Sequence, residues 1–136
     1  MIVLVDTSIW SLAFRRKKET LHANQQQQLH RLKEIIVEGR ARLLGSVRQE
    51  LLSGIRSPEQ FGKLRDHLRF FPDVELETDD YESAANIRNT CSAHGIAGSP
   101  IDFLLCSVAL RRGWSIFTAD RDFESYGRHI PITLLR

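Results

Sequence analysis

Ile2-Val3-Leu4-Val5 runs without a polar residue and stops at Asp6, with Thr7 and Ser8 directly behind it. So short a run of apolar residues, unalternated with polar ones, fits a strand covered on both faces. Strands of that kind belong to parallel sheets lying between layers of helices. In such sheets ligands sit in the crevice beyond the carboxyl ends of the strands, so Asp6 is aimed at a crevice rather than at bulk solvent. Its competing role is a turn residue or a helix cap, and Thr7 or Ser8 could equally cap the helix expected from Ile9.

The rest of the chain alternates in the same way. Leu21 to Glu38 reads as a helix with Leu29, Leu32 and Ile36 on one face and Gly39 just past its end. Arg42 to Gly45 reads as a second strand. Ser46, with Gln49 at capping-box spacing, opens a helix that carries Glu50. Ser57-Pro58 starts another, with an apolar stripe of Phe61, Leu64 and Leu68. Val74 to Leu76 reads as a short strand, and Asp79 to His94 as a helix with Ala84, Ile87 and Cys91 inward. Ser99-Pro100-Ile101-Asp102 opens a helix so apolar on every side that it must be buried, with Asp102 its only acid. Trp114 to Thr118 and Pro131 to Leu135 complete the strands. The expected fold is therefore α/β, a three-layer α/β/α sandwich with a mostly parallel central sheet. Its 136 residues form a single domain, 1–136.

Composition narrows the partners only a little. The net charge of +2 and the run Arg15-Arg16-Lys17-Lys18 are compatible with phosphate contact, but a solvated loop explains the run equally. Cys91 and Cys106 fall within apolar helical patterns and are expected as reduced, buried thiols of a cytoplasmic protein. No apolar run approaches the ~18 residues of a membrane span. No basic region precedes the first apolar run, so no signal peptide is expected.

Four acidic positions recur at equivalent places. Asp6 and Asp120 each lie just past a strand; Glu50 and Asp102 each lie in the first turns of a helix opening at the same edge. Each also has a local explanation as a cap, a turn former or a complement to a helix dipole. Together they need counter-charge, and an all-oxygen donor set favours Mg²⁺ or Mn²⁺. Their mutual repulsion is expected to raise at least one folded-state pKa. Zinc is not expected, because no His or Cys falls at ligand spacing. Carboxylate-bound Mg²⁺ suits phosphodiester hydrolysis by an activated water. A phosphatase with Asp6 as nucleophile would want a second Asp where Ser8 stands. Both it and a phospho-accepting receiver domain would want a late lysine, and no lysine follows Lys63.

Val5-Asp6-Thr7-Ser8-Ile9-Trp10, Glu50-Leu51-Leu52-Ser53-Gly54, Asp102 in Ile101-Asp102-Phe103-Leu104-Leu105, and Thr118-Ala119-Asp120-Arg121-Asp122-Phe123 resemble the PIN domain. In length and order the chain resembles the VapC-type toxins of toxin–antitoxin systems. The resemblance implies a Mg²⁺- or Mn²⁺-dependent endoribonuclease, usually a homodimer, held inactive by a cognate VapB-type antitoxin. Transfer RNA and ribosomal RNA both fit as substrates. Asp6, Glu50, Asp102 and Asp120 would then form the catalytic and metal-binding quartet. Asp122 is the alternative to Asp120, which lies closer to the strand end. Thr7, Ser8 and Thr118 would orient Asp6 or position the substrate. The alternative within the family is a degenerate PIN domain that only binds RNA or a protein.

Overall fold

The computed structural model describes residues 1–14 and 17–135, so Arg15 and Arg16 of the basic cluster lie outside the described residues. The elements are β1 (Val3–Val5), α1 (Thr7–Phe14), a 3-10 turn (Lys18–Thr20), α2 (Ala23–Val37), β2 (Ala41–Arg42) and α3 (Gly45–Leu52). They continue with α4 (Pro58–Leu68), α5 (Thr78–Ala93), α6 (Pro100–Arg112), β3 (Ser115–Phe117), α7 (Asp122–Gly127) and β4 (Thr133–Leu134).

The strands lie in the order β2-β1-β3-β4, and every pairing among them is parallel. Val3 is registered against Ala41 on one side and Ser115 on the other. β1 and β3 are buried along their whole length, so both sheet faces need cover. The crossover from β1 to β2 runs one way and the crossover from β2 to β3 runs back across β1. With right-handed connections the two place their helices on opposite faces. In the packing α1 lies against α2 and α3, so α3, although it follows β2, joins the first group, while α5 lies against α6, and α6 against β3. The outcome is a three-layer α/β/α sandwich. The chain reverses direction across the sheet between β1 and β3. That junction is the topological switch point, where a crevice opens at the carboxyl ends of the strands.

Trp10, Ile9, Leu32, Ile35, Leu105 and Tyr126 are among the largest fully buried side chains. α6 is buried without a break from Phe103 to Ala109, as its apolar circumference requires. At its end Gly113 adopts φ 71°, a left-handed turn that a side chain would resist, and the chain drops directly into β3. α5 is fastened to α6 by Asp80, which is fully buried and accepts from Arg112 Nη1 at 2.8 Å, Arg112 Nη2 at 2.9 Å and Arg111 Nη1 at 2.6 Å. No helix among the described residues is long and apolar enough to cross a membrane.

Several local expectations shift. Val74–Leu76 is not a strand; an isolated parallel bridge pairs Leu43 with Asp73 just before it, and Val74 N donates to Leu43 O at 3.2 Å. The Glu75 carbonyl, which a ladder would use, instead accepts from Arg112 Nη2 at 3.0 Å. β2 is centred on Ala41–Arg42, ahead of the expected Arg42–Gly45. α3 begins at Gly45 behind an extended Leu44, without the expected Ser46 cap, because buried Leu44, Val47 and Leu51 set where it starts. Ile35, three residues after Leu32, takes the inward place expected of Ile36. α1 begins at Thr7, so Thr7 is a helical residue rather than its cap. The helix α7 has no counterpart in the sequence reading; six residues are too few for a periodic signal.

Candidate active site

Asp6 is held at the seam between a strand and a helix. Its backbone N–H donates to Phe117 O at 2.9 Å, carrying the β1–β3 ladder one residue further. Its carbonyl accepts from Ile9 at 3.0 Å and Trp10 at 3.1 Å, the first turn of α1. The side chain is 6% exposed. Asp6 Oδ2 accepts from Ser8 Oγ at 2.8 Å and from Thr118 Oγ1 at 2.8 Å. Each hydroxyl receives a hydrogen bond in turn: Ser8 Oγ from Ala119 N at 3.0 Å, Thr118 Oγ1 from Asp120 N at 3.0 Å. The two loops beyond β1 and β3 are thus laced together through Asp6. Thr7 takes no part in this lacing, since its hydroxyl is buried without a hydrogen-bond partner.

Asp102 comes from the opposite layer. Ser99 caps α6, its Oγ accepting from Asp102 N at 3.1 Å, and Pro100 sets the first turn. Asp102 is therefore delivered, half-buried, at the mouth of the crevice. Its Oδ2 accepts from the Tyr126 hydroxyl at 2.6 Å. Asp120 and Asp122 are exposed, and Asp120 Oδ1 accepts from Asp122 N at 2.9 Å, which folds the loop into the start of α7.

Asp102, Asp120 and Asp122 each offer a carboxylate oxygen, and these oxygens lie within 4.8 Å of one another. Asp6 and Glu50 are outside that group. Asp6 sits deeper and acts on Asp102 through its charge, whereas Glu50 is exposed on the second turn of α3. Asp120 and Asp122, weighed as alternatives, are both present in the cluster. The donor set is wholly carboxylate, which suits a hard divalent ion such as Mg²⁺ or Mn²⁺. No salt bridge among the described residues reaches these aspartates.

The electrostatics follow. Burial raises the Asp6 pKa above its ordinary value, and the Ser8 and Thr118 hydroxyls oppose the rise. Burial also raises Asp102; the Tyr126 and Ser99 hydroxyls pull it back, and the charges of Asp6 and Asp120 push it further up. The expected rise is present, but desolvation is its main cause and mutual repulsion the lesser one. The buried Cys106 thiol is also pushed up, first by burial and then by the charge of Asp102, so it stays protonated.

Tyr126 is the site residue that sequence reasoning missed. Its spacing from Phe123 marks an apolar helix face, but nothing in the sequence ties it to Asp102, 24 residues away.

A PIN domain family model matches residues 3–129. A comparison with curated proteins found no match. Among solved structures, FitAcB from Neisseria gonorrhoeae is similar, with a TM-score of 0.77 at 16% identity, covering 99% of this chain and 97% of that one. VapBC2 from Rickettsia felis, bound to a DNA fragment from its promoter, gives 0.72 at 15% identity over 99% and 98% of the two chains. VapBC-5 from Mycobacterium tuberculosis gives 0.67 at 14% identity over 100% and 99%.

Proposed function

The chain belongs to the PIN domain family, and on that premise we propose that it is a divalent-metal-dependent endoribonuclease, the toxin of a VapBC-type toxin–antitoxin pair. One observation carries the reading: three carboxylates converge within 4.8 Å at the switch point of a parallel sheet, beside a buried fourth. In this reading Asp6, Asp102 and Asp120 hold Mg²⁺ or Mn²⁺, with Asp122 in or beside the set, and Glu50, exposed on α3 and outside the aspartate cluster, is the remaining acid of the proposed quartet. When bound, such an ion offsets charge on the phosphodiester and lowers the pKa of a water that attacks it.

The chain's own residues do the rest. Ser8 and Thr118 fix the Asp6 carboxylate by donating to it, so it cannot rotate out of the crevice. Ser99 and Pro100 fix the start of α6, and with it the entry angle of Asp102. The hydroxyls of Ser8, in the first turn of α1, and Thr118, just past β3, are the proposed contacts to substrate phosphate, whereas the buried Thr7 hydroxyl is not among them. The FitAcB and VapBC structures support a cognate VapB-type antitoxin as partner, with a homodimer and a cytoplasmic setting as part of the same reading. The RNA substrate is of the transfer or ribosomal class.

The test is cleavage of RNA by the purified protein with Mg²⁺ or Mn²⁺, with and without EDTA, beside Asp6→Asn. The expected result is metal-dependent cleavage leaving 5′-phosphate ends, lost in EDTA and in the variant. Cleavage undiminished by EDTA, or only 2′,3′-cyclic ends, overturns it. RNA retained but never cut would instead mark a degenerate, binding-only PIN domain.

A further inference from the structure

Tyr126 is fully buried, yet its hydroxyl lies at the acidic cluster. Its ring is held by Phe103, centroids 5.2 Å apart at 50°, and by Phe123, 5.2 Å apart at 70°. Its carbonyl accepts from His129 at 3.0 Å and Ile130 at 2.9 Å, which fixes the end of α7 beneath it. The phenol is thus confined by packing on its ring. The space beside it is equally constrained. A Cβ at Gly98 would overlap the Tyr126 hydroxyl and lie 2.7 Å from Phe103 Cζ. Glycine is required at position 98 for clearance: the backbone passes where a side chain would drive the phenol away from Asp102.

We propose that Tyr126 is a positioning residue that acts through Asp102, and that Gly98 is the clearance that allows it. The inference rests on the reading of the aspartate cluster as a divalent-metal site. A single donor at 2.6 Å on Asp102 Oδ2 fixes the carboxylate about its Cβ–Cγ bond. A half-buried carboxylate without that donor would turn toward solvent or toward the α6 cap. With it, the group stays at the separation from Asp120 and Asp122 that one ion can bridge. The phenol itself remains a protonated donor, held so by burial and by the neighbouring carboxylate.

The bland role for Tyr126 is a core tyrosine whose hydroxyl has found an acceptor. Mn²⁺ titration calorimetry separates the two roles, using the full chain as wild type, Tyr126→Phe, Gly98→Ala, Asp102→Ala, and Asp102→Ala combined with Tyr126→Phe. Positioning predicts that Tyr126→Phe weakens Mn²⁺ binding about tenfold, the low end for loss of a partner that orients a metal ligand. Gly98→Ala, which keeps the phenol but displaces it, should show a loss of the same order. Adding Tyr126→Phe to Asp102→Ala should change nothing further, because Tyr126 acts only through that carboxylate. RNA cleavage should show kcat reduced with KM unchanged. Equal Mn²⁺ affinity in wild type and in either folded single variant overturns the inference, as does a loss that persists undiminished without Asp102. A wild type that binds no Mn²⁺ overturns the metal-site reading itself, a different and recognisable result.

Discussion

Asp80 and Asp6 are both buried carboxylates, 0% and 6% exposed, and the chain surrounds them in opposite ways. Asp80 receives a two-pronged Arg112, then Arg111, and the Glu77 backbone N–H at 2.9 Å. Arg112 also lies over the Trp114 ring, 5.5 Å from its centroid, so the guanidinium itself is braced. The Arg112 hydrogen bond, more than any other contact, holds the Asp80 pKa far below the usual carboxylate range. Asp6 receives only neutral donors, and its pKa moves the other way. A carboxylate serving the fold is thus saturated and neutralised from within. The one at the strand ends is oriented but meets no cation among the described residues, and its neighbours Asp102, Asp120 and Asp122 add to the deficit. A divalent cation bound there, as proposed, would offset that deficit.

The largest expected effect that could break this contrast is on activity. Asp6→Asn should reduce RNA cleavage by on the order of 10²–10³-fold, the scale of removing one preorganised electrostatic partner. Asp80→Asn should leave the rate per folded molecule unchanged. Similar losses in both would mean that the two sites are not functionally distinct.

Stability should reverse the order. Asp80→Asn leaves two arginines without their partner and should cost about 3 kcal/mol, somewhat relieved because Arg111 stays partly solvated. In thermal melts that is a drop on the order of 10 °C. Asp6→Asn should leave the metal-free protein unchanged or stabilise it by up to ~1 kcal/mol. If Asp6→Asn unfolds the metal-free chain, Asp6 is a structural cap and the contrast fails.

Next comes the response to metal. Mg²⁺ at a hundredfold excess over its dissociation constant should stabilise wild type and Asp80→Asn by about 2.7 kcal/mol. Asp6→Asn and Asp102→Asn should lose most of that gain, read as the difference between melts with and without Mg²⁺.

The two sites should also titrate in opposite senses. Asp80 has a depressed folded pKa, so its contribution is present above the ordinary aspartate value of 3.8 and is lost as pH falls through the folded value. Asp6 and Asp102 have raised folded pKa values, so theirs is full below 3.8 and is lost as pH rises through the folded values. In metal-free denaturation across roughly pH 2 to 7, Asp80→Asn should flatten the acid limb and Asp6→Asn the opposite limb. The smallest expected difference lies between Asp120→Asn and Asp122→Asn. Both carboxylates belong to the cluster, but the charge on Asp120 also strengthens the hydrogen bond it accepts from Asp122 N, so neutralising it should loosen both positions and reduce the Mg²⁺ effect more.

Much of this was legible in residue types and spacing. The apolar run into Asp6, the strand ending at Thr118 and the buried α6 fix three positions of the crevice through period and punctuation alone. What was not legible depends on contacts with no local signature. Val74–Leu76 has a strand's composition, but Arg112 captures the Glu75 carbonyl. Asp80 resembles an ordinary first-turn acid of α5, and only the packing of α6 shows that it is buried against two arginines. Tyr126 reaches Asp102 because α7 exists, and α7 is too short to announce itself. Glu50 carries a sequence motif, yet the structure leaves it exposed and apart from the aspartate cluster.

The sheet order has a consequence in time. β1 is made early but sits in the middle of the sheet, and its neighbour β3 is registered against it across more than a hundred residues, Leu4 opposite Ile116. The hydrogen bond from Thr118 to Asp6 spans 112 positions. Pairings of such separation form late, because the long loop between them must close first. During synthesis from the N-terminus, Asp6 therefore waits beside an empty sheet position until β3 has been made and inserted. A growing chain on a ribosome, itself built of RNA, carries the first carboxylate of the crevice long before it can carry the rest.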